Sequence, residues 1–159
     1  SMRELKATND EIQRANDMAS EMGVLRNSIT SGGGSQAGFL AEIVVARHIG
    51  ATQANTYDYD LVMPDGRTID VKAKRTGVKP RDHYECSVAA YNTKQDCDYY
   101  AFCRVLNDMS TVWILGIIKK KDYYSRATKR LKGDKDPSNN FTFKSDAYNL
   151  KISELNPSR

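Results

Sequence analysis

Cysteine is scarce in this 159-residue chain, and what little there is excludes two classes of small protein. Cys86, Cys97 and Cys103 are odd in number and none is spaced Cys-x-x-Cys, which argues against a disulfide framework or a zinc site. Three free thiols in a reducing, cytoplasmic setting are expected. No apolar run approaches the ~20 residues of a membrane helix, so no membrane partner is expected. No secretory signal opens the chain, and Ser1 ahead of Met2 reads as an expression remnant. The two histidines, His48 and His83, match no histidine-metal motif and read as structural or surface residues. Thr30-Ser31-Gly32-Gly33-Gly34-Ser35 is not followed by Gly-Lys-Ser/Thr, so it is not a Walker motif. It reads as a connector, although a glycine-rich turn feeding a helix can also hold a phosphate. No internal repeat recurs.

What is present suits one globular domain: 40% hydrophobic and 28% charged residues in a length sufficient to bury a core. Residues 1–34 read as an N-terminal helix and connector, and 35–159 as the domain proper. The net charge of +4 is mild but unevenly spread. Between Lys119 and Lys132 lie seven basic residues and one acid, so this segment carries +6 and the remainder −2. Such a patch is the electrostatic footprint of a phosphate backbone, or else a solvated helix face.

In residues 3–22, Leu5, Ile12, Ala15, Ala19 and Met22 fall at helical spacings and predict a thinly amphipathic helix. It either caps the core or pairs with a second subunit. Ser35 and Gly50 bracket a predicted helix over Gln36–Ile49. Tyr84–Ala89 predicts a strand, Tyr91–Cys97 a short polar connection, and Thr76–Arg81 a loop. Asp98–Leu106 and Thr111–Ile118 are apolar runs around Asn107-Asp108, as in a core hairpin. Lys121–Leu131 predicts a helix stopping at Gly133. Phe141–Phe143 and Tyr148–Ile152 predict weak strands, with Pro157 closing the chain.

The most informative stretch is Tyr57–Arg75. Pro64-Asp65-Gly66 suits a three-residue hairpin turn with a left-handed glycine, a register that pairs Met63 with Arg67. Asp60 then lies opposite Asp70, and Lys72 shares their face because strand side chains alternate. Opposed carboxylates repel, so a divalent cation between them is the economical resolution. A second anomaly is Glu42, the only residue from Ala37 to Ala46 that is neither apolar nor glycine. An acid there is costly to bury unless it binds metal or forms a salt bridge at the helix edge, for example with Arg47 or His48.

Glu42 on a helix, Asp60 on a strand, then Asp70-Val71-Lys72 on the next strand: this ordered set resembles the PD-(D/E)XK nuclease superfamily, including its restriction-endonuclease and junction-resolving members. The resemblance spans roughly Ser35–Ile118. Tyr59 precedes Asp60, so the name-giving proline–aspartate pair is absent there; Pro64-Asp65 supplies one only in the turn. The resemblance implies an α/β (α+β) fold with a restriction-endonuclease-like core, a central mixed β-sheet flanked by helices and preceded by the N-terminal helix. It implies a Mg2+-dependent DNA endonuclease, with Mn2+ as a substitute, or alternatively an exonuclease of a phage or mobile element. The rivals are an inactive nucleic-acid-binding module of the same fold and a structural protein.

In that reading Asp60, Asp70 and the Val71 carbonyl hold the metal, and Glu42 binds a second ion or a water. Lys72 orients the attacking water or stabilises developing charge. Asp58 shares the face of Asp60 and could replace or assist it, and Gln95 could match a glutamine that some exonuclease-like members place on the following helix. Lys74, Arg75, Lys119, Lys120, Lys121, Lys129 and Arg130 are the expected DNA contacts. Cleaving two strands takes two sites, so a homodimer through residues 3–22 is a further expectation.

Overall fold

The computed structural model describes residues 2–30, 35–136 and 140–155, with the side chains of 23–30 excepted. Its fold is α+β, built on a six-stranded mixed sheet and a second sheet of three antiparallel strands. The elements in order are β1 (Arg3–Lys6), α1 (Asn9–Thr30), α2 (Gln36–Ile49), β2 (Thr52–Gln53), β3 (Leu61–Val62), β4 (Thr68–Thr76) and β5 (Glu85–Ala89). They continue with β6 (Tyr99–Leu106), β7 (Thr111–Lys119), α3 (Lys120–Arg126), β8 (Thr128–Arg130), β9 (Ala147–Lys151) and α4 (Ile152–Leu155). The large sheet runs β1-β7-β6-β4-β3-β2, with β4 and β6 parallel and its other pairs antiparallel; the small one runs β5-β9-β8.

The two apolar runs in β6 and β7 are continuous because these strands are buried on both faces. Ala101, Cys103, Val105, Val112 and Ile114 face α1 and α2, where Leu40, Val44 and Val45 complete one core. Tyr100, Phe102, Trp113 and Leu115 face the opposite way, against Cys86 and Val88 of β5, Tyr123 of α3, and Ile152 and Leu155 of α4.

Local chemistry explains the helix ends. Ser35 Oγ accepts from Gly38 N (3.0 Å), and Gly50 closes α2 in the left-handed region at φ 73°. At α1, Thr8 Oγ1 accepts from Glu11 N (3.1 Å) while Glu11 Oε1 accepts from Thr8 N (2.9 Å), a reciprocal capping box.

Several expected elements differ. Residues 3–22 are not one helix: Arg3–Lys6 form β1 on the edge of β7, and the helix starts only after the Thr8 cap. The apolar stripe of α1 packs into this chain's own core, with Ala15 fully buried and Ile12, Met18, Ala19 and Met22 against it. The helix expected over Lys121–Leu131 ends at Arg126, Ala127 turns extended (ψ 147°), and Thr128–Arg130 pair with β9 as β8. β-branched Thr128 is a poor helix former, and the unpaired edge of β9 offers ladder bonds in compensation. Phe141–Phe143 contributes only an isolated bridge, Thr142 with Lys135, and Ile152 begins α4. Most of the glycine-rich connector, Ser31–Gly34, and Pro157 lie outside the described residues.

Candidate active site

The β3–β4 hairpin adopts the register its turn dictates. Met63 N donates to the Arg67 carbonyl (2.8 Å), Gly66 N donates to the Met63 carbonyl (2.9 Å), and Gly66 takes φ 91°. Leu61 faces Ile69 and Val62 faces Thr68, and the ladder stops there. Asp60, expected on the strand, is a bend residue just before β3, its N donating to the Ile69 carbonyl at 2.9 Å and its carboxyl against that of Asp70. β3 pairs only these two residues, which leaves β4 beyond Ile69 with an open edge on that side. Asp60 fills the first position of that edge with its side chain: Oδ2 accepts from Val71 N at 2.8 Å. Strand geometry sends the Val71 carbonyl toward the same edge.

The electrostatics of the pair follow from this geometry. Burial raises the Asp60 pKa to about 7, the charge of Asp70 and a hydrogen bond between the two carboxyls add to the rise, and the Val71 N–H and Lys72 oppose it. Near neutral pH Asp60 is therefore close to its midpoint, because burial and the neighbouring acid both penalise its charged form. Asp70, only 4% exposed, is ion-paired through Oδ2 with Lys72 Nζ at 2.8 Å. Lys72 Nζ also donates to Gln95 Oε1 (2.9 Å) and lies over the Tyr100 ring at 5.8 Å.

Gln95 is buried and oriented by its other end, where Nε2 donates to the Tyr57 carbonyl at 2.7 Å. That bond turns Oε1 toward Lys72. Lys120 Nζ donates to the Gln95 carbonyl, fixing the backbone as well.

Glu42, Asp60, Asp70, Val71, Lys72, Lys74 and Gln95 all line one cleft of about 1080 Å3. It opens where β4 lacks a partner, between the start of α2 and the strand β5. Glu42 is 8% exposed, and Arg47, a sequence neighbour that was a candidate partner, is bound instead to Glu11 at 2.7 Å. Tyr57 and Tyr91, both exposed, stand on the same cleft. Among the described residues, no three histidine, cysteine, aspartate or glutamate side chains form a ready-made metal cluster. The candidate ligand set consists instead of the Asp60–Asp70 pair, with Glu42 across the cleft.

The remaining candidates divide. Asp58 turns away, Oδ1 capping Asp96 N at 3.0 Å, and is not among the cleft residues. Arg75 lies on the other face of β4, reaching Gln36 Oε1 (3.4 Å) and the Asn107 carbonyl (3.5 Å). Lys119, Lys121 and Lys129 are exposed, whereas Lys120 serves Gln95 and Arg130 is half-buried 3.8 Å from Glu85. His48 and His83 are exposed. The cysteines are free and buried, and burial lifts the Cys97 thiol to about 11 and the Cys86 thiol to about 12, which makes them inert as nucleophiles. No helix among the described residues is long and apolar enough to cross a membrane.

Arg104, Ser87 and the two cleft tyrosines carried no local signal in the sequence. They reach the site through strand pairing and loop placement. No protein-family model matches the chain, and no curated protein sequence matches it. The functional reading therefore rests on the residues themselves.

Proposed function

We propose that this chain is a Mg2+-dependent DNA endonuclease of the PD-(D/E)XK superfamily, hydrolysing phosphodiester bonds in the cleft between α2 and β5. The observation that carries the reading is the opposed Asp60–Asp70 pair with Lys72 bound to Asp70, open to a cleft that Glu42 also lines. Hard oxygen donors suit Mg2+, and a divalent cation would offset the burial and the Asp70 charge that now disfavour the ionised form of Asp60. Asp60, Asp70 and the Val71 carbonyl would hold the ion, with Glu42 available to a second ion or to a water. A Mg2+ ion there would supply Lewis-acid stabilisation of the charge that builds on the phosphate and make water a better nucleophile at neutral pH.

The chain's own residues do the rest. Lys72 places an ammonium beside the carboxylate pair, where it can donate to an attacking water or to a phosphate oxygen. Gln95 is a positioning residue: held by the Tyr57 carbonyl, it keeps Lys72 from folding wholly onto Asp70. Exposed Lys119, Lys121 and Lys129 offer sequence-independent contacts to a phosphate backbone. A restriction-endonuclease-like core is part of the same proposal, supported by the α2–β3–β4–β6 order, with Glu42 on α2, Asp60 just before β3, and Asp70 and Lys72 on β4.

The test is nicking or linearisation of supercoiled plasmid in Mg2+ or Mn2+, with Asp70→Ala and Lys72→Ala alongside. Cleavage by the wild type and its loss in both variants is the expected result. A folded wild type that binds DNA yet is as inert as the variants would reduce the chain to a binding module. Absence of DNA binding, together with no Asp60-dependent Mn2+ binding by calorimetry, would leave a structural protein. A homodimer through residues 3–22 predicts a dimeric mass by light scattering at micromolar concentration; a monomer there removes it.

A further inference from the structure

Along β4 the cleft face carries Asp70, Lys72 and Lys74, each two residues from the last and so about 6.6 Å apart. In the parallel pairing of β4 with β6, Lys74 stands beside Arg104. Two cations on adjacent strands of one face repel, and neither is ion-paired to a carboxylate among the described residues. Lys74 Nζ donates to Ser87 Oγ at 3.2 Å, and Ser87 Oγ in turn donates to Asn149 Oδ1. The hydroxyl proton is thus committed to Asn149, and Ser87 meets Lys74 with a lone pair. Arg104 Nη2 donates to the Glu85 carbonyl at 3.1 Å, and its guanidinium lies over Tyr84 at 5.4 Å. Asn149 is 3% exposed, and its Nδ2 has no acceptor among the described residues. Glu85, the acid nearest this corner, is drawn to Arg130 at 3.8 Å.

Burial disfavours the charged form of both cations, and Arg104 disfavours it further at Lys74, where Glu85 and Asp136 act the other way without pairing with it. Desolvated, adjacent like charges cost stability unless an anion joins them. Lys74, Ser87 and Arg104 line the same cleft as Asp60, Asp70 and Lys72. The step from Lys72 to Lys74 is comparable to that between successive phosphates of one nucleic-acid strand.

We propose that Lys74 and Arg104, with Ser87 fixing the lysine, form an anion subsite for the phosphate next to the one held at Asp70 and Lys72. This rests on the nuclease reading for its substrate and adds to it a defined strand path, along β4 toward β5. Arg104 and Lys74 bind here and take no part in the bond cleavage itself.

The experiment is a salt titration of binding between the full chain and a labelled oligonucleotide duplex in EDTA. Lys74→Gln, Arg104→Gln and the double variant are compared with Arg104→Lys. Each lost contact should lower the slope of log K against log salt by about 0.9, the double variant by about twice that, with Arg104→Lys close to wild type. Thermal melts identify any Arg104→Gln chain that fails to fold; Lys74, whose Nζ bonds Ser87 Oγ, then carries the test alone. In Mg2+, an uncharged methylphosphonate beside the cleaved linkage should raise the wild-type KM and leave that of the double variant unchanged. A folded Lys74→Gln with the wild-type slope overturns the subsite while leaving the nuclease reading intact. A lowered slope in a chain that never cleaves overturns the nuclease and retains the subsite. A wild type that binds no DNA overturns both.

Discussion

Replacing Asp60 by asparagine should make the metal-free protein more stable at alkaline pH, an unusual result for a residue of an active site. The substitution keeps the shape and an oxygen for the Val71 N–H, and its Nδ2 can donate to Asp70 as the protonated carboxyl does. The sign follows from the raised pKa. Below the ordinary value of 3.8 the carboxyl is protonated folded or unfolded, and pH has no effect through it. Between 3.8 and about 7 the unfolded chain releases the proton while the folded chain keeps it, so stability falls as pH rises. Above about 7 the loss is complete. At about 1.4 kcal/mol per pH unit, the two units from pH 5 to 7 cost the folded state about 3 kcal/mol. For a chain of this size that is a fall in Tm of about 6–12 °C. Thermal melts by circular dichroism from pH 5 to 8.5 in EDTA read it directly. The wild type should lose Tm over this range, Asp60→Asn should lose much less, and Mn2+ should restore the wild type alone at pH 8. Parallel pH profiles for the two chains would refute the charge-pair argument.

Other perturbations separate positioning from folding. Gln95→Ala removes the acceptor that holds Lys72 and should lower kcat about 10–100-fold with little change in KM, as losses of outer positioning partners do, measured by plasmid cleavage. Neutralising Lys119, Lys121 and Lys129 together should weaken DNA binding equally across sequences and flatten its salt dependence; an unchanged slope would remove that face from the interface. Thr8→Ala breaks the capping box of α1 and should cost about 1 kcal/mol in urea unfolding. Leu40→Ala empties a fully buried position between α2 and the large sheet, and a cost of about 2–5 kcal/mol is expected in the same assay.

Features set by near neighbours were legible in the sequence. Pro64-Asp65-Gly66 constrains a tight turn, the turn constrains the register of β3 on β4, and that register delivers Asp60 to the end of the ladder beside Asp70. Ser35 and Gly50 bound α2 for equally local reasons, and the largely apolar runs of β6 and β7 announced strands covered on both faces. Features that depend on distant partners were not legible. Arg-Glu-Leu-Lys at residues 3–6 has no strand alternation to speak of and becomes β1 because β7 has an edge to pair. Thr128–Arg130 continues a helical-looking basic run, yet β9 claims it. Asp58 and Asp60 look interchangeable along the chain, but Asp96 N–H, 38 residues away, holds the first while Val71 N–H holds the second. Arg104 sits in an apolar run with no mark of a site, and only the parallel pairing of β4 and β6 brings it to Lys74. The sequence by itself determined the opposed acids and their lysine, because turn chemistry and strand alternation act over a few residues. Tertiary structure decided which other groups face them, because that depends on which strand edges and buried donors are left to be satisfied.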